Sequence, residues 1–223
     1  MNKEICLIRG SDKEDYQQFR ERVFYTSRIL EKELKPKAIK FTLTEEAPPG
    51  ISIIPFSRKK IAAISVYGEK LNPVCEFEQI PGFCGAYRVD EALPVAYQKT
   101  WKNGEPTPGA CLLTLFRKRK NIDYKTFIDR WHNGHTPLSL RIHPLWNYNR
   151  NVVTQQLTDY NILFDAIVEE QVREKSDLLN PFKFFGNPLI ILYRMYLVFF
   201  DTRSFIDYPS METYYAAEYH IKS

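Results

Sequence analysis

The pattern D-Y-x-x-F-x-x-R occurs twice, as DYQQFRER at 15–22 and as DYKTFIDR at 123–130, 108 positions apart. Each copy follows an apolar, strand-like segment, EICLIRG in one case and ACLLTLFRKR in the other, and each opens an amphipathic helix. A later pair of echoes keeps the same order: Tyr87 and Glu91 in YRVDE, Tyr214 and Glu218 in YYAAE. Those two lie 127 positions apart, so the second copy carries a longer insertion. Two echoes in one order point to a tandem repeat, and a repeat restricts the fold to one whose halves can pack on each other.

The first unit, 1–100, reads as a strand at 4–9 and a helix capped by Ser11 or Asp12 that runs to about 33. Phe19, Val23 and Leu30 keep helical spacing along it. AIKFTLTEEA and KKIAAISVYG are strands, and residues 71–82 stand where a second helix belongs, in a short or eroded form. GAYRVDEALPVAYQ supplies the last strand, with Pro94 marking an edge or a strand end. WKNGEPTPG, 101–109, separates the units with two prolines and two glycines.

The second unit, 110–223, opens with the strand ACLLTLF and a helix from about Asp123. WNYNRNVVTQQ and FDAIVEEQVR are strands, DLLNPFKFFGNP a loop or broken helix, PLIILYRMYLVFF a buried helix by its length, with its β-branched and aromatic content leaving a strand open, and SMETYYAAEYHI the closing strand. Each unit therefore follows βαββαβ, the ferredoxin-like order, with both helices on one face of an antiparallel sheet. The other face needs cover. The expected fold class is α+β: two ferredoxin-like units packed sheet to sheet as an intrachain pseudo-dimeric barrel.

The segment LLTLFRKRKNIDYKTFIDRWHNGHTPLSLRI resembles the EthD family of dimeric α/β barrel proteins. That family's motif runs from a strand into a helix, with Phe and Trp packing inward and a histidine followed by a small residue, Pro and Leu. Phe127 and Trp131 match the aromatic positions, and His135, Pro137 and Leu138 match the rest. The late strand AAEYH, with its glutamate, also fits. The resemblance covers about 110–223 and reaches 1–100 mostly through the repeat. It implies a barrel with a cleft between sheet and helices. Relatives include polyketide cyclases, proteins linked to ether and aromatic degradation, and decarboxylases, so the resemblance implies no single reaction.

Composition narrows the function classes. Thirty-one basic against 27 acidic residues give a net charge of +4, and RKRK at 117–120 is the densest basic run. It follows a strand and reads as a water-facing turn; no stripe of base-stacking and phosphate-binding residues accompanies it, so nucleic acid is not an expected partner. The 13-residue apolar run at 188–200 contains Arg194 and is too short to cross a bilayer, so no membrane partner is expected. The four cysteines have no CxxC spacing, and the amino terminus has no long apolar stretch; a reducing cytoplasm is the expected location. No glycine-rich dinucleotide loop is present, and no cofactor is expected.

RWHNGHTPLSLRIHP, 130–144, holds three of the four histidines, and the first unit holds none. The spacing His-x2-His-x7-His is no recognised metal signature, so no metal is assigned. Gly134 and Pro137 predict that the helix ends near 134–136 and that a new turn starts with Thr136 as cap and Pro137 at its first position. Free amides there, beside a histidine titrating near neutrality, suit an enolate or carboxylate oxygen. His135 is the first candidate for acid–base chemistry, with His132 and Tyr148 secondary; Arg141, Arg150 and Trp131 are candidates for holding substrate. Set against this, His132 suits a helix rim, and His143, before Pro144, suits a cap on a carbonyl. Glu169 and Glu170 alternate to opposite faces of a strand, and Glu91 and Glu218 are expected to pair with arginines such as Arg88 or Arg150. The expected function is a cyclase, lyase or isomerase acting on a small apolar or aromatic, polyketide-like molecule. The alternative is a noncatalytic protein that binds a hydrophobic ligand or mediates assembly, and a homodimer is left open.

Overall fold

The chain alternates apolar segments of strand length with amphipathic helices, and the strands meet edge to edge until no edge is left. The computed structural model describes residues 2–69, 77–159 and 163–223. Its first four strands are β1 (Asn2–Arg9), β2 (Ala38–Leu43), β3 (Ile61–Gly68) and β4 (Phe83–Val95). The next four are β5 (Ala110–Phe116), β6 (Leu145–Gln156), β7 (Ala166–Val172) and β8 (Glu212–Lys222). All pairings are antiparallel, and the order around the closed barrel is β1-β3-β2-β8-β5-β7-β6-β4. Within each half the spatial order is fourth, first, third, second. The halves join where β2 pairs with β8 and β4 with β6.

The main helices are α1 (Tyr16–Leu34), α2 (Tyr124–Asp129) and α3 (Thr136–Ile142), then α4 (Lys175–Leu179), α5 (Pro181–Phe184) and α6 (Ile191–Arg203). The repeated motif opens α1 and α2. Asp15 and Asp123 are the N-caps, accepting from the amides of Gln18 and Thr126, while Phe19 and Phe127, one turn further on, are fully buried. The cap of α1 thus lies three or four residues beyond the Ser11 or Asp12 expected from sequence. Gln18 returns a bond to the Asp15 amide, and Ser11 instead closes the preceding turn against Glu14. Asp15→Ala and Asp123→Ala are each expected to cost about 1 kcal/mol, read as a fall in the urea midpoint.

Strand alternation sorts the core into layers. Odd residues of β1 and β5 (Ile5, Leu7, Leu113, Leu115) point into the barrel with Tyr87 and Tyr214. Even residues of β1 pack under α1, and those of β5 under the helices of the second half. The register repeats the sequence echo: Ile5 lies opposite Tyr87, and Leu113, 108 positions after Ile5, lies opposite Tyr214.

One end of the barrel interior is ionic. Lys40 Nζ lies 2.8 Å from Glu169 and 2.9 Å from Glu218, and Lys3 Nζ lies 2.7 Å from Glu91. Glu91 and Glu218 therefore pair with lysines, not with the expected arginines. The reason is the pleat: Arg88 and Arg150 project outward, to Glu4 and to Thr136. Tyr97, Trp101 and Trp146 pack over this end, with the Tyr97 hydroxyl bonded to Glu218.

Two further expectations change. Half of the eroded helix expected at 71–82, residues 71–76, lies outside the described residues; Phe77 to Ile80 form a turn with Phe77 buried. The apolar run at 188–200 is helical but not buried. Ile191, Met195 and Val198 face inward, while Leu192, Tyr193 and Tyr196 stand out, Leu192 being 78% exposed. Apart from Arg194 the run is apolar, and a helix laid on a sheet surface can bury only one of its faces. Among the described residues no helix is long and apolar enough to cross a membrane.

Candidate functional site

Between the outer face of the second half's sheet and its helices lies a cavity of about 400 Å³. Leu112, Phe116 and Val168 form the sheet wall; Met195, Val198 and Phe205 close it from the helical side. This size accommodates a molecule of two or three fused rings, and the lining is overwhelmingly apolar with a few polar groups converging on it.

The helical side is shaped by an irregularity. Residues 124–142 form one continuous helical run, and the expected break at 134–136 is replaced by a π-helical turn, Arg130–His135, between α2 and α3. Thr136 has helical angles, and its amide donates to the Trp131 carbonyl five residues back. Bonding five residues back widens the turn, so Pro137, which has no amide to give, is accommodated without a break. Thr136 is therefore no cap, and its amide is not free for an oxyanion. The Thr136 hydroxyl adds a second bond to the Trp131 carbonyl at 3.0 Å.

The same widening sorts the histidines. In a regular helix His132 and His135 would share a face; across the wider turn they do not. Trp131 and His135 line the cavity. His132 lies outside its lining, half-buried, edge-on to Trp131, with Nε2 buried and unpartnered among the described residues. Burial, helped by the Arg150 charge, lowers its pKa to about 4. Tyr148, on β6, lines the cavity and its hydroxyl accepts from Trp131 Nε1 at 3.2 Å. Burial and the nearby Glu170 push the Tyr148 phenol well above its ordinary value. Arg150 shares the outward face of β6 with Tyr148, yet its guanidinium turns to the Thr136 hydroxyl at 2.7 Å and stays off the cavity lining. Arg141 is exposed near the end of α3 and also stands apart. Neither arginine is placed to grip a carboxylate inside.

Three further polar groups stand at the site, and of these Asp201 was not singled out from sequence. Asp201, on α6, holds His135: Nδ1 and Oδ2 are 2.7 Å apart. An ionised carboxylate only accepts, so Nδ1 carries the proton and, in the neutral ring, Nε2 carries the lone pair. Glu170, on β7, is buried in the sheet wall and accepts from the Ser139 hydroxyl at 3.1 Å. His143 also lines the cavity; its Nδ1 donates to the Phe184 carbonyl at 3.0 Å, which fits the carbonyl-capping role read from sequence. The strand alternation of Glu169 and Glu170 was legible, but Asp201 lies 66 residues from its partner and no spacing rule connects them. Among the described residues no group of three or more His, Cys, Asp or Glu side chains could hold a metal ion.

His143 makes a pH prediction. Burial lowers its pKa to about 4, against the pull of the Phe184 carbonyl. Between pH 6.5 and 4 the unfolded chain takes up a proton that the folded chain refuses, so stability falls as pH falls through that window. The loss from this one residue is about 3 kcal/mol by pH 4. Urea midpoints for His143→Asn are expected to vary less between pH 7 and pH 4.5 than those of the unaltered chain.

The fold and site together define a closed eight-stranded antiparallel α+β barrel with an apolar side cavity carrying a histidine–aspartate pair. No family model and no curated protein matches the chain by sequence. In structure it is similar to a crystal structure of an anthrone oxidase-like protein, with a TM-score of 0.59 and 10% identity over 98% of this chain and 91% of that one. At that identity the likeness is one of fold.

Proposed function

We propose that the cavity takes a small apolar or aromatic, polyketide-like molecule and that His135, oriented by Asp201, moves a proton on it, as a cyclase, lyase or isomerase requires. The observation that carries this reading is the His135–Asp201 bond at the wall of an apolar cavity. Asp201 fixes the ring so that Nε2 can take a proton, and the apolar walls keep competing water away. Removing a proton next to a carbonyl leaves the electron pair of the broken C–H bond in a new C=C bond, with negative charge on the former carbonyl oxygen. Tyr148 and Trp131 serve to position the ring system. His132, Arg141 and Arg150 are left in supporting roles on the far side of the wall.

The architecture supports a tandem origin. Residues 1–100 and 110–223 are read as two ferredoxin-like units joined by the 101–109 linker, on three counts: the strand order in each half, the paired caps Asp15 and Asp123, and the equivalent Tyr87 and Tyr214. The likeness to an anthrone oxidase-like protein is one of fold and is compatible with this reading; the aromatic ligand is what the EthD resemblance implies. Buried unpaired Cys6, Cys84 and Cys111 suit a reducing cytoplasm.

The test uses 1-tetralone, a two-ring ketone with exchangeable hydrogens beside its carbonyl. Its deuterium uptake from D2O, followed by mass spectrometry, is expected to be accelerated by the protein and to depend on His135. A specific observation favours the noncatalytic reading as the runner-up: most of the lining is apolar. Saturable binding with no acceleration of exchange would establish that reading instead.

A further inference from the structure

Adjacent glutamates on β7 have opposite surroundings. Glu169 points into the barrel, where Lys40 and Thr42 bind it. Glu170 points out, into the cavity wall, opposite Leu112 on one side and Tyr148 on the other. It is 9% exposed. Its polar contact is the Ser139 hydroxyl, and among the described residues no lysine or arginine pairs with it. The titratable groups that share its cavity are His135 and His143 from the helical run and its end, Tyr148 from β6 and Tyr208 from the turn before β8. Asp201 lies behind His135.

We infer that Glu170 is a neutral carboxylic acid that donates a hydrogen bond to an uncharged ligand oxygen, so that the site takes ketones, quinones or phenols and turns carboxylates away. A buried carboxylate without a cation is unstable in apolar surroundings, whereas the protonated group needs only ordinary hydrogen bonds. Burial pushes the Glu170 carboxyl up, with His135 and the Ser139 hydroxyl as smaller opposing influences. Ser139 bonds one oxygen, and the acid proton is then available to the cavity. Glu170 sits on the sheet wall and His135 on the helical run, so a donor and a base line the one cavity that a ligand would occupy. In an enolisation the base takes the C–H proton while the donor meets the oxygen on which charge develops. Neutral ligands suit this pair, and a second carboxylate beside Glu170 would not. The inference rests on the cavity being the ligand site.

The test compares 1-tetralone with 1-naphthoate, which keeps two fused rings but carries a carboxylate. Tryptophan fluorescence gives affinities, since Trp131 lines the cavity, and infrared difference spectra of carbonyl-¹³C 1-tetralone report the hydrogen bond. The expected results are a carbonyl band at lower frequency when bound, a smaller shift in Glu170→Gln and none in Glu170→Leu. Tetralone affinity should fall about tenfold in Glu170→Leu. Naphthoate should bind at least about tenfold more weakly than tetralone. An identical bound band in all three proteins, or naphthoate binding as tightly as tetralone, overturns the inference. Should Glu170→Leu fail to fold, the band in Glu170→Gln decides. Binding with the expected band but no His135-dependent exchange refutes the acid–base reading and leaves this inference standing. Failure of both molecules to bind refutes both.

Discussion

Lys40→Met is expected to lower the free energy of unfolding by about 3–5 kcal/mol, the usual cost of removing one partner from a buried ion pair. Lys40 is 5% exposed and is the cation nearest to both Glu169 and Glu218, of which Glu218 is fully buried. Burial works against the charge on Glu218, but Lys40, with His220 and Tyr97, more than offsets it and holds the carboxyl well below the usual range. Burial likewise disfavours the Lys40 ammonium, and Glu169 and Glu218 reverse that. Methionine fills much of the same space without charge and leaves two carboxylates inside the barrel. Adding Glu169→Gln should restore part of the loss, because one unpaired carboxylate is then gone. Equilibrium urea unfolding of the single and double variants reads both effects; a loss under about 1 kcal/mol for Lys40→Met would mean that water reaches this end of the barrel. The linkage also has a sign. A depressed Glu218 contributes stability above the ordinary carboxylate range, and that contribution is lost as pH falls through and below it.

His135→Ala is expected to slow protein-dependent deuterium exchange of 1-tetralone by roughly 100- to 10,000-fold while leaving tetralone affinity within a few-fold. The separation follows from the geometry. The ring's contribution to binding is one edge of a large apolar lining, whereas in the proposed mechanism its lone pair is the base. Asp201→Asn should cost about tenfold or more, since an amide can donate to Nδ1 and move the proton of the neutral ring to Nε2, the wrong nitrogen for a base. His132→Ala, whose ring lies off the cavity, should leave exchange near that of the unaltered chain. Equal losses in His132→Ala and His135→Ala would point to a general structural disturbance, not to a base.

The barrel was legible because two periodicities run through the chain without conflict. EICLIRG, IAAISVYG and ACLLTLF have strand length between turn formers, and DYQQFRER and DYKTFIDR open helices, although the first cap is Asp15 and not the Ser11 or Asp12 read from sequence. The repeat then told which segments correspond. The interior lysines were harder: Lys3 was read as lying outside its strand, and Lys40 became intelligible only when strand closure set it against Glu169 and Glu218. His135 stood out by residue type, and its neighbours did not. Asp201 and Glu170 reach it through tertiary packing, and the π turn that faces His135 into the cavity and His132 away is a one-residue change in bonding. Gly134 and Pro137 marked the place of that irregularity but not its kind. The exposed stripe of α6 was missed because apolar composition alone does not say which face of a helix has a partner.

The space between sheet and helices is proposed as a ligand site with His135 at its wall. The most direct measurement is a crystal structure of the chain grown with 1-tetralone. The ligand is expected between β7 and α6, with its carbonyl oxygen at hydrogen-bond distance from Glu170 and its exchangeable carbon facing His135 Nε2. A cavity filled by the protein's own side chains, or a ligand seated elsewhere with His135 turned away from it, would contradict the account.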